Sequence, residues 1–505
     1  MTEVTSCNFE RLAPEIEAAI KDASFVAIDT EFTGLVQGPD ASPSLFDSIE
    51  ERYAKLRQTV ASFYVCQLGL CAFTNVPEEN LYRAQAYNVY LCPRSFGNSG
   101  FDFNKCFYKG IPYADRACQR AADLYIMNER YFDKPGLTKV YDSVRHWLNN
   151  NNRAKSSDDS LTVTLPEGLS TVLVMADLKT RFPGVEVQVC RDGLKLTLPE
   201  NCEPQRVAAE GRAPTESELR DAMLGFSRCF EVLAASGKPV VGHNMLLDLL
   251  LLYHQFCEPL PKSFAKFKAG LSTVFPAVYD TKHISLQLRQ QGVSWLKELM
   301  SGADLFALYN ALSNAVVPYS PRVEGAPKDM RAHEAGCDAY AAGFVYLKLA
   351  HIVSQKLPVA PRALPWRSHR DALRPYVNRV NLIRAQYHHL SLDADEKDAE
   401  TRPPWLCIHL PKQAQAQVRA VLARCGVVDM RSLSSTCLLV AVGNFACARD
   451  IVEAFHDDPL VRVAKYKSYR HDGVARAWLW TATVGTLALT AVCALKLASG
   501  KVSVL

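Results

Sequence analysis

The chain is 505 residues long, enough for roughly two to four domains and a sizeable core. Apolar residues make up 48% and charged residues 22%, which excludes a disordered or collagen-like chain. A formal net charge of +4 is too small to mark a nucleic-acid binder by bulk charge, so any RNA site must rest on local charge and on metal.

Sixteen cysteines stand singly, with no Cys-x-x-Cys pair, and read as reduced thiols of a cytosol-facing protein. Met1–Glu10 is acidic and has no apolar run behind a basic flank, so it lacks a signal-peptide pattern. Further on, Phe25-Val-Ala-Ile predicts a buried strand over Ser24–Asp29. Strand patterns at Gln67–Phe73 and Ala86–Leu91 and a helical one at Thr138–Asn149 follow, and the alternation predicts an α/β core. Polarity rises at 149–160 and marks a boundary. Beyond it a helical stretch, Leu165–Phe182, precedes two strands, Val185–Cys190 and Leu194–Leu198, joined by Arg191-Asp192-Gly193. This small α+β unit reads as an insertion closed by a Glu/Arg/Pro-rich connection at 199–215.

Lys238–Val241 and a helix from Met245 restore the alternation, and a second helix spans Asp338–Ala350. Pro358, Pro361, Pro365 and Pro375 are then interleaved with Arg362, Arg367, Arg370, Arg374, Arg379 and Arg384, a stretch that reads either as a guide for RNA phosphates or as a solvated linker. From Trp405 the order is strand, helix, strand, strand, helix, strand, which predicts a ferredoxin-like unit. Ala477–Leu495 carries no charge, with Trp478 and Trp480 at one end and Arg470, Arg476, Lys496 and Lys501 as brackets. At about 1.5 Å per residue it matches a hydrocarbon core of about 30 Å, and it is expected to be a transmembrane tail anchor.

The candidate chemistry lies in three places. Asp29 and Glu31 are two apart at a strand end, so both carboxylates leave one face and can meet one cation. His243-Asn-Met-Leu-Leu-Asp248 follows the strand-like Pro239-Val-Val-Gly242, placing Asp248 in the first turns of a helix at the carboxyl end of the sheet, where ligands collect. His333-Glu-Ala-Gly-Cys-Asp338 sets a histidine at a loop-to-helix junction and an aspartate on the helix. Taken singly, the first and third have bland alternatives: a chance pair and a partly exposed loop histidine. Together they offer four carboxylates, the donor set of a two-metal hydrolase.

The order of these elements resembles the histidine-bearing DEDD exonucleases. Longer matches, Phe25-Val-Ala-Ile-Asp-Thr-Glu-Phe-Thr-Gly-Leu35, Gly100-Phe-Asp-Phe-Asn-Lys105, Gly110-Ile-Pro112, Gly237–Asp248 and Asp280-Thr-Lys282, resemble the poly(A)-specific ribonuclease (CAF1-type) family over residues 1 to 356, and more faintly beyond. Joined to a C-terminal anchor, they are similar to its membrane-anchored branch, which trims pre-piRNA 3′ ends. The resemblance implies an α/β, RNase H-like nuclease core at 1–148 and 214–356. It also implies an inserted domain at 149–213, an Arg/Pro-rich linker at 357–400, an RRM-like domain at 401–470 and a single transmembrane helix at 477–495. The insertion corresponds to an Arg-x-x-x-His nucleic-acid-binding domain, but Leu169–Ala176 lacks that arginine and histidine. The RRM-like strand Thr436–Val442 lacks stacking aromatics.

The resemblance further implies two Mg2+ ions, with Mn2+ as a substitute. Asp29, Glu31 and Asp338 would hold one ion, and Asp29 and Asp248 the other. His333 would take the proton from the attacking water, giving Asp29, Glu31, Asp248, His333 and Asp338 as catalytic residues. Phe32, Leu35, Asn244 and Lys282 would contact substrate, against the alternative that the first two are core and Lys282 a surface charge. The expected activity is 3′→5′ removal of 5′-nucleotides from single-stranded RNA with a free 3′ hydroxyl, on PIWI-bound pre-piRNA. The expected setting is a membrane scaffold at the mitochondrial outer membrane or endoplasmic reticulum, as a possible homodimer. The alternatives are a poly(A) deadenylase and a catalytically silent RNA-binding adaptor.

Overall fold

A computed structural model describes residues 1–34, 42–93, 110–120, 123, 135–151, 160–165, 171–190, 193–198, 211–291, 304–355, 363–393, 402–467, 481–483 and 486–491. Leu35, Gly100–Lys105, the 191–192 turn and most of the 199–215 connection lie outside these residues. The chain forms two units: 1–41 with 54–381 and 391–396, and 42–53 with 382–390 and 397–505.

The first unit is built on a long antiparallel pair, β3 (Val65–Val76) with β4 (Leu81–Pro93), extended by β2 (Phe25–Phe32) antiparallel to β3. The short strands β9 (Val240–Gly242), β10 (Val278–Asp280) and β12 (Arg379–Asn381) continue it in parallel, in the order β4-β3-β2-β9-β10-β12. On the far side β1 (Thr2–Val4), β5 (Ile111–Tyr113) and β11 (Arg322–Glu324) all pair with β4. Phe25–Ile28 is buried throughout, the continuous apolar run expected of a strand covered on both faces.

One face is covered by the helix Ala335–Ser354, buried along almost its whole length. Such a helix needs no polar stripe. It lies close on the sheet: a Cβ on Gly343 would stand 2.1 Å from the Phe73 ring, so only glycine fits there. Beneath it Phe25 stacks on Phe73 at 4.7 Å and on Trp366 at 5.3 Å. Truncating a buried aromatic of this kind costs about 3–5 kcal/mol.

Trp366 belongs to the stretch read from sequence as an Arg/Pro-rich linker. Its described part instead folds onto the sheet, as a helix Trp366–Ala372 and as β12, because Trp366 and the fully buried Val380 have apolar sites to fill. Pro358, Pro361 and Arg362 lie outside the described residues.

The inserted segment has its own core. An antiparallel sheet of β6 (Ser160–Val163), β8 (Gly193–Thr197) and β7 (Glu186–Cys190), in that order, packs with helices Pro135–Asn151 and Thr171–Arg181 around Leu173, Val174, Leu178 and Leu196. β6 was not expected from sequence; only Val163 of its four residues is buried, which gives almost no pattern to read.

The second unit runs β-α-β-β-α-β: strands Leu406–His409, Val428–Ser434, Cys437–Val442 and Arg462–Lys465, with helices Gln415–Leu422 and Phe445–Ala454. The Cys437–Val442 and Leu406–His409 strands are central. Ile408, Leu438 and Val440 share a core with Leu422 and Ile451 on the helical face. On the opposite face Leu439 and Ala441 pack with Leu45 and Phe46, from a segment almost 400 residues earlier, and with Trp405 and Tyr466.

One part of the expected fold is corrected. Among the described residues no helix is long and apolar enough to cross a membrane, so the single transmembrane helix at 477–495 is not supported. Within that stretch only 481–483 and 486–491 are described, as short helical pieces; the rest lies outside the described residues. Threonines dilute this run, and Thr490 turns its hydroxyl back to the carbonyls of Thr486 and Leu487 at 2.7 and 2.9 Å.

Candidate active site

Parallel pairing of β2 with β9 is confined to Val26–Val240 and Ala27–Val241. The pairing ends there, towards the carboxyl ends of the parallel strands, the place where open α/β sheets bind ligands. Asp29 and Glu31 stand in β2 at this point, and the strand pairing is bulged between Glu31 and Phe32. Such irregularities re-aim side chains beside active sites.

The amide of Thr30, no longer paired to β9, donates to Asp248 Oδ1 at 3.0 Å, and its hydroxyl donates to the same oxygen at 2.5 Å. Asp248 is 8% exposed and lies in the first turn of the helix Leu246–Leu252. Asp338, equally buried, lies in the first turn of Ala335–Ser354 and accepts the backbone N–H of His333 at 3.0 Å. His333 has φ +64°, a left-handed backbone that costs a non-glycine residue energy and recurs at functional sites. Its side chain is 91% exposed, at the rim, with Nδ1 3.9 Å from Glu31 Oε1. Carboxylate and imidazole atoms of Glu31, His333 and Asp338 all lie within 4.8 Å of one another, a spacing that can hold a metal ion.

Electrostatics bind the set together. Burial, then the charges of Asp248, Asp338 and Glu31, push the Asp29 carboxyl far above the ordinary aspartate range. Burial pushes Asp338 up to about 7, against the pull of the His333 amide. Asp248 rises to about 6 through burial, held back by the Thr30 hydrogen bonds. Glu31 is also raised by burial, an effect partly offset by His333. Four oxygen-bearing acids crowded into one crevice are individually unfavourable as anions and jointly suited to a hard divalent cation.

Sequence reasoning did not single out the frame around these acids. Glu334 Oε2 accepts from the amides of Gln67 (3.2 Å) and Asn88 (2.9 Å), while the oxygens of those amides accept the N–H groups of Ala335 and Gly336 at 3.0 and 3.1 Å. This clamp seats the first turn of the Asp338 helix on β3 and β4. The approach is close enough that a Cβ on Gly69 would lie 1.8 Å from the Ala335 carbonyl oxygen. The only signal in the sequence was a polar residue, Gln67 or Asn88, amid apolar neighbours in each strand.

Asp280 is the second frame element. Its carboxylate accepts the N–H groups of Asn244, Lys282 and Asn381 at 2.8, 2.9 and 2.9 Å, and Asn381 Nδ2 donates to Asn244 Oδ1 at 2.8 Å. Asn244 has φ +60°, so these bonds fix the turn that leads into the Asp248 helix. Of the expected substrate contacts, Phe32 is partly exposed at the end of β2 and Lys282 partly buried at a helix start, while the Asn244 side-chain oxygen is engaged by Asn381.

Comparison with known proteins shows what the chain is similar to. The family described as CAF1 family ribonuclease matches residues 4–346. The chain is similar to the pre-piRNA 3′-exonuclease trimmer of Bombyx mori, 27% identical over 96% of this chain and 97% of the relative. It is also similar to the poly(A)-specific ribonuclease PNLDC1 of Homo sapiens, at 30% over 90% and 96%. Similarity to the poly(A)-specific ribonuclease PARN of Xenopus laevis is 29% over 76% and 67%.

Proposed function

The chain belongs to the CAF1 family of ribonucleases, and from that premise we propose that Asp29, Glu31, Asp248 and Asp338 with His333 form its catalytic centre for 3′→5′ trimming of single-stranded RNA. The observation that carries this reading is the meeting of the four acids in one crevice, each raised by burial and Asp29 also by its neighbours.

The donor set fits hard divalent ions, Mg2+ with Mn2+ as substitute, with Asp29, Glu31 and Asp338 on one side and Asp29 and Asp248 on the other. Two such ions, when bound, stabilise both the attacking and the leaving oxygen of an in-line displacement at phosphorus. Thr30 holds Asp248 Oδ1 in place. His333 stands at the solvent rim, where its imidazole takes the proton of the water that attacks the terminal phosphodiester. Phe32, Leu35, Asn244 and Lys282 are the residues assigned to substrate contact in this reading, Leu35 lying outside the described residues.

The substrate we propose is a pre-piRNA whose 5′ part is held by a PIWI-type Argonaute protein, because the silk-moth relative matched over nearly the whole chain is named for trimming pre-piRNA. Poly(A) is the second reading, favoured by the names of the PNLDC1 and PARN relatives. The test is digestion of 5′-labelled RNA by the purified chain with Mg2+. A ladder shortening from the 3′ end, lost with a blocked 3′ hydroxyl, is expected. Equal rates on mixed-sequence RNA and oligo(A) favour the trimmer reading, strong preference for oligo(A) favours the deadenylase, and no digestion of either rejects the catalytic assignment.

A further inference from the structure

We propose that the four-stranded sheet of the second unit carries a binding site for a borderline-soft divalent cation, Zn2+ in particular, made by Cys407, His409 and Cys437. The placement follows from strand geometry. Cys407 and His409 are two residues apart on the Leu406–His409 strand and so leave the same face. Cys437 lies directly opposite His409 on the neighbouring antiparallel strand. The residues between and beside them, Ile408 and Leu438, point into the core under the helices. All three potential ligands therefore stand on the face opposite the helices.

Distances support a shared ion. Cys407 Sγ is 2.9 Å from Cys437 Sγ and 3.4 Å from His409 Nε2, and the three ligand atoms lie within 4.8 Å of one another. With Zn–S near 2.3 Å and Zn–N near 2.0–2.1 Å, ligands at tetrahedral corners stand about 3.4–3.8 Å apart. The sulfur–nitrogen pair already has that spacing, and the two sulfurs need to part by less than about 1 Å.

Donor chemistry separates this site from the acid crevice. Thiolate and imidazole select zinc or copper(I) over magnesium, whereas carboxylates do the reverse. Three protein ligands leave the fourth position of a tetrahedron for water or an incoming group. Cys407 is fully buried, Cys437 is 8% exposed and His409 is exposed, so that position opens on the His409 side. Loading the site would tie two central strands together and stabilise the unit by mass action.

The test titrates Co2+, as an optical stand-in for Zn2+, into the full-length reduced protein with excess Mg2+ to fill the carboxylate site. One equivalent is expected to give a sulfur-to-cobalt charge-transfer absorption that Zn2+ abolishes; oxygen ligands give no such absorption. Cys437→Ser should remove the band, and His409→Gln should weaken Co2+ binding at least about tenfold while leaving the far-ultraviolet circular dichroism unchanged. Should Cys437→Ser fail to fold, Cys407→Ser and the metal content of the wild type by native mass spectrometry read the same site. The proposal is overturned by absence of the band in protein whose thiols are all reduced, by a band that survives loss of either cysteine, or by a Cys407–Cys437 disulfide that persists under the reducing conditions used.

Discussion

Asp280 and Asp338 are both buried acids at the functional edge of one sheet, yet their surroundings differ. Asp280 is wholly buried, and burial raises its carboxyl, but backbone N–H groups from three separate segments hold that rise in check. Asp338 accepts one such bond from His333 and rises to about 7, with Glu31 adding to the push. Asp29 is also pushed well above its usual range, by burial and then by the charges of Asp248, Asp338 and Glu31. The contrast separates acids that close the fold from acids that the fold holds at a cost. A carboxylate whose acceptor sites are filled by amides has no need of a cation; one left short of donors beside like charges does.

The comparison is tested most severely at Asp29. Asp29→Asn keeps the shape of the side chain and removes the charge shared by both halves of the proposed site. Nucleotide release should fall by roughly 10^3-fold or more, the scale on which loss of a transition-state partner is felt, with an unchanged circular dichroism spectrum. Initial rates within tenfold of wild type would place the catalytic centre elsewhere.

Asp280→Ala should show the opposite division of effect. It leaves the backbone N–H groups of Asn244, Lys282, His283 and Asn381 without their acceptor; at about 1 kcal/mol for each of the three shorter bonds, the denaturant midpoint should drop by an amount equivalent to about 3 kcal/mol. A midpoint equal to that of the wild type would show that Asp280 does not hold the Asn244 turn.

The clamp around Glu334 gives an intermediate case. Asn88→Ala removes, from a fully buried side chain, a donor to Glu334 and the acceptor for Gly336 N–H. Since this supports the helix that carries Asp338, kcat should fall by about 10–100-fold, the range found for groups that orient metal ligands. KM should move little. A change confined to KM would mean that Asn88 acts on RNA binding instead.

These distinctions were only partly legible in the sequence. Long elements with strong patterns could be read: the apolar run into Asp29, the third strand Cys437–Val442, and the helix that carries Asp338. The acids entered as candidates through the order of their three motifs, since the Asp29–Glu31 pair alone is a common chance pattern and Asp248 and Asp338 lie on helices. What surrounds them was not legible. Gln67, Asn88 and Glu334 meet across roughly 250 residues of chain, and local periodicity carries no information about such partners. The cover of the second sheet escaped for the same reason: Leu45 and Phe46 are remote in sequence from the Leu439 and Ala441 they pack against. The three-residue strand β12 is too short for a period, and the arginines around it read as linker. At the far end, nineteen uncharged residues with tryptophans and basic brackets looked like a span, but among the described residues no helix is long and apolar enough for one.

The smallest expected effect concerns stability against pH. In the metal-free protein Asp338 has a folded pKa of about 7 against an ordinary value of 3.8, and Asp248 one of about 6. Between about pH 4 and pH 7 the folded state therefore holds more protons than the unfolded chain, and stability falls as pH rises through that window. Asp338→Asn removes this penalty, so without divalent ions it should melt about 2 °C above the wild type at pH 7.5 and close to it at pH 4.5. Mg2+ should raise the wild-type midpoint at pH 7.5 and lose that effect on acidification, since protons compete for the same oxygens. Scanning fluorimetry with and without chelator reads both curves. If Asp338→Asn melted below the wild type at pH 7.5 without metal, Asp338 would belong with Asp280 among the acids that hold the fold.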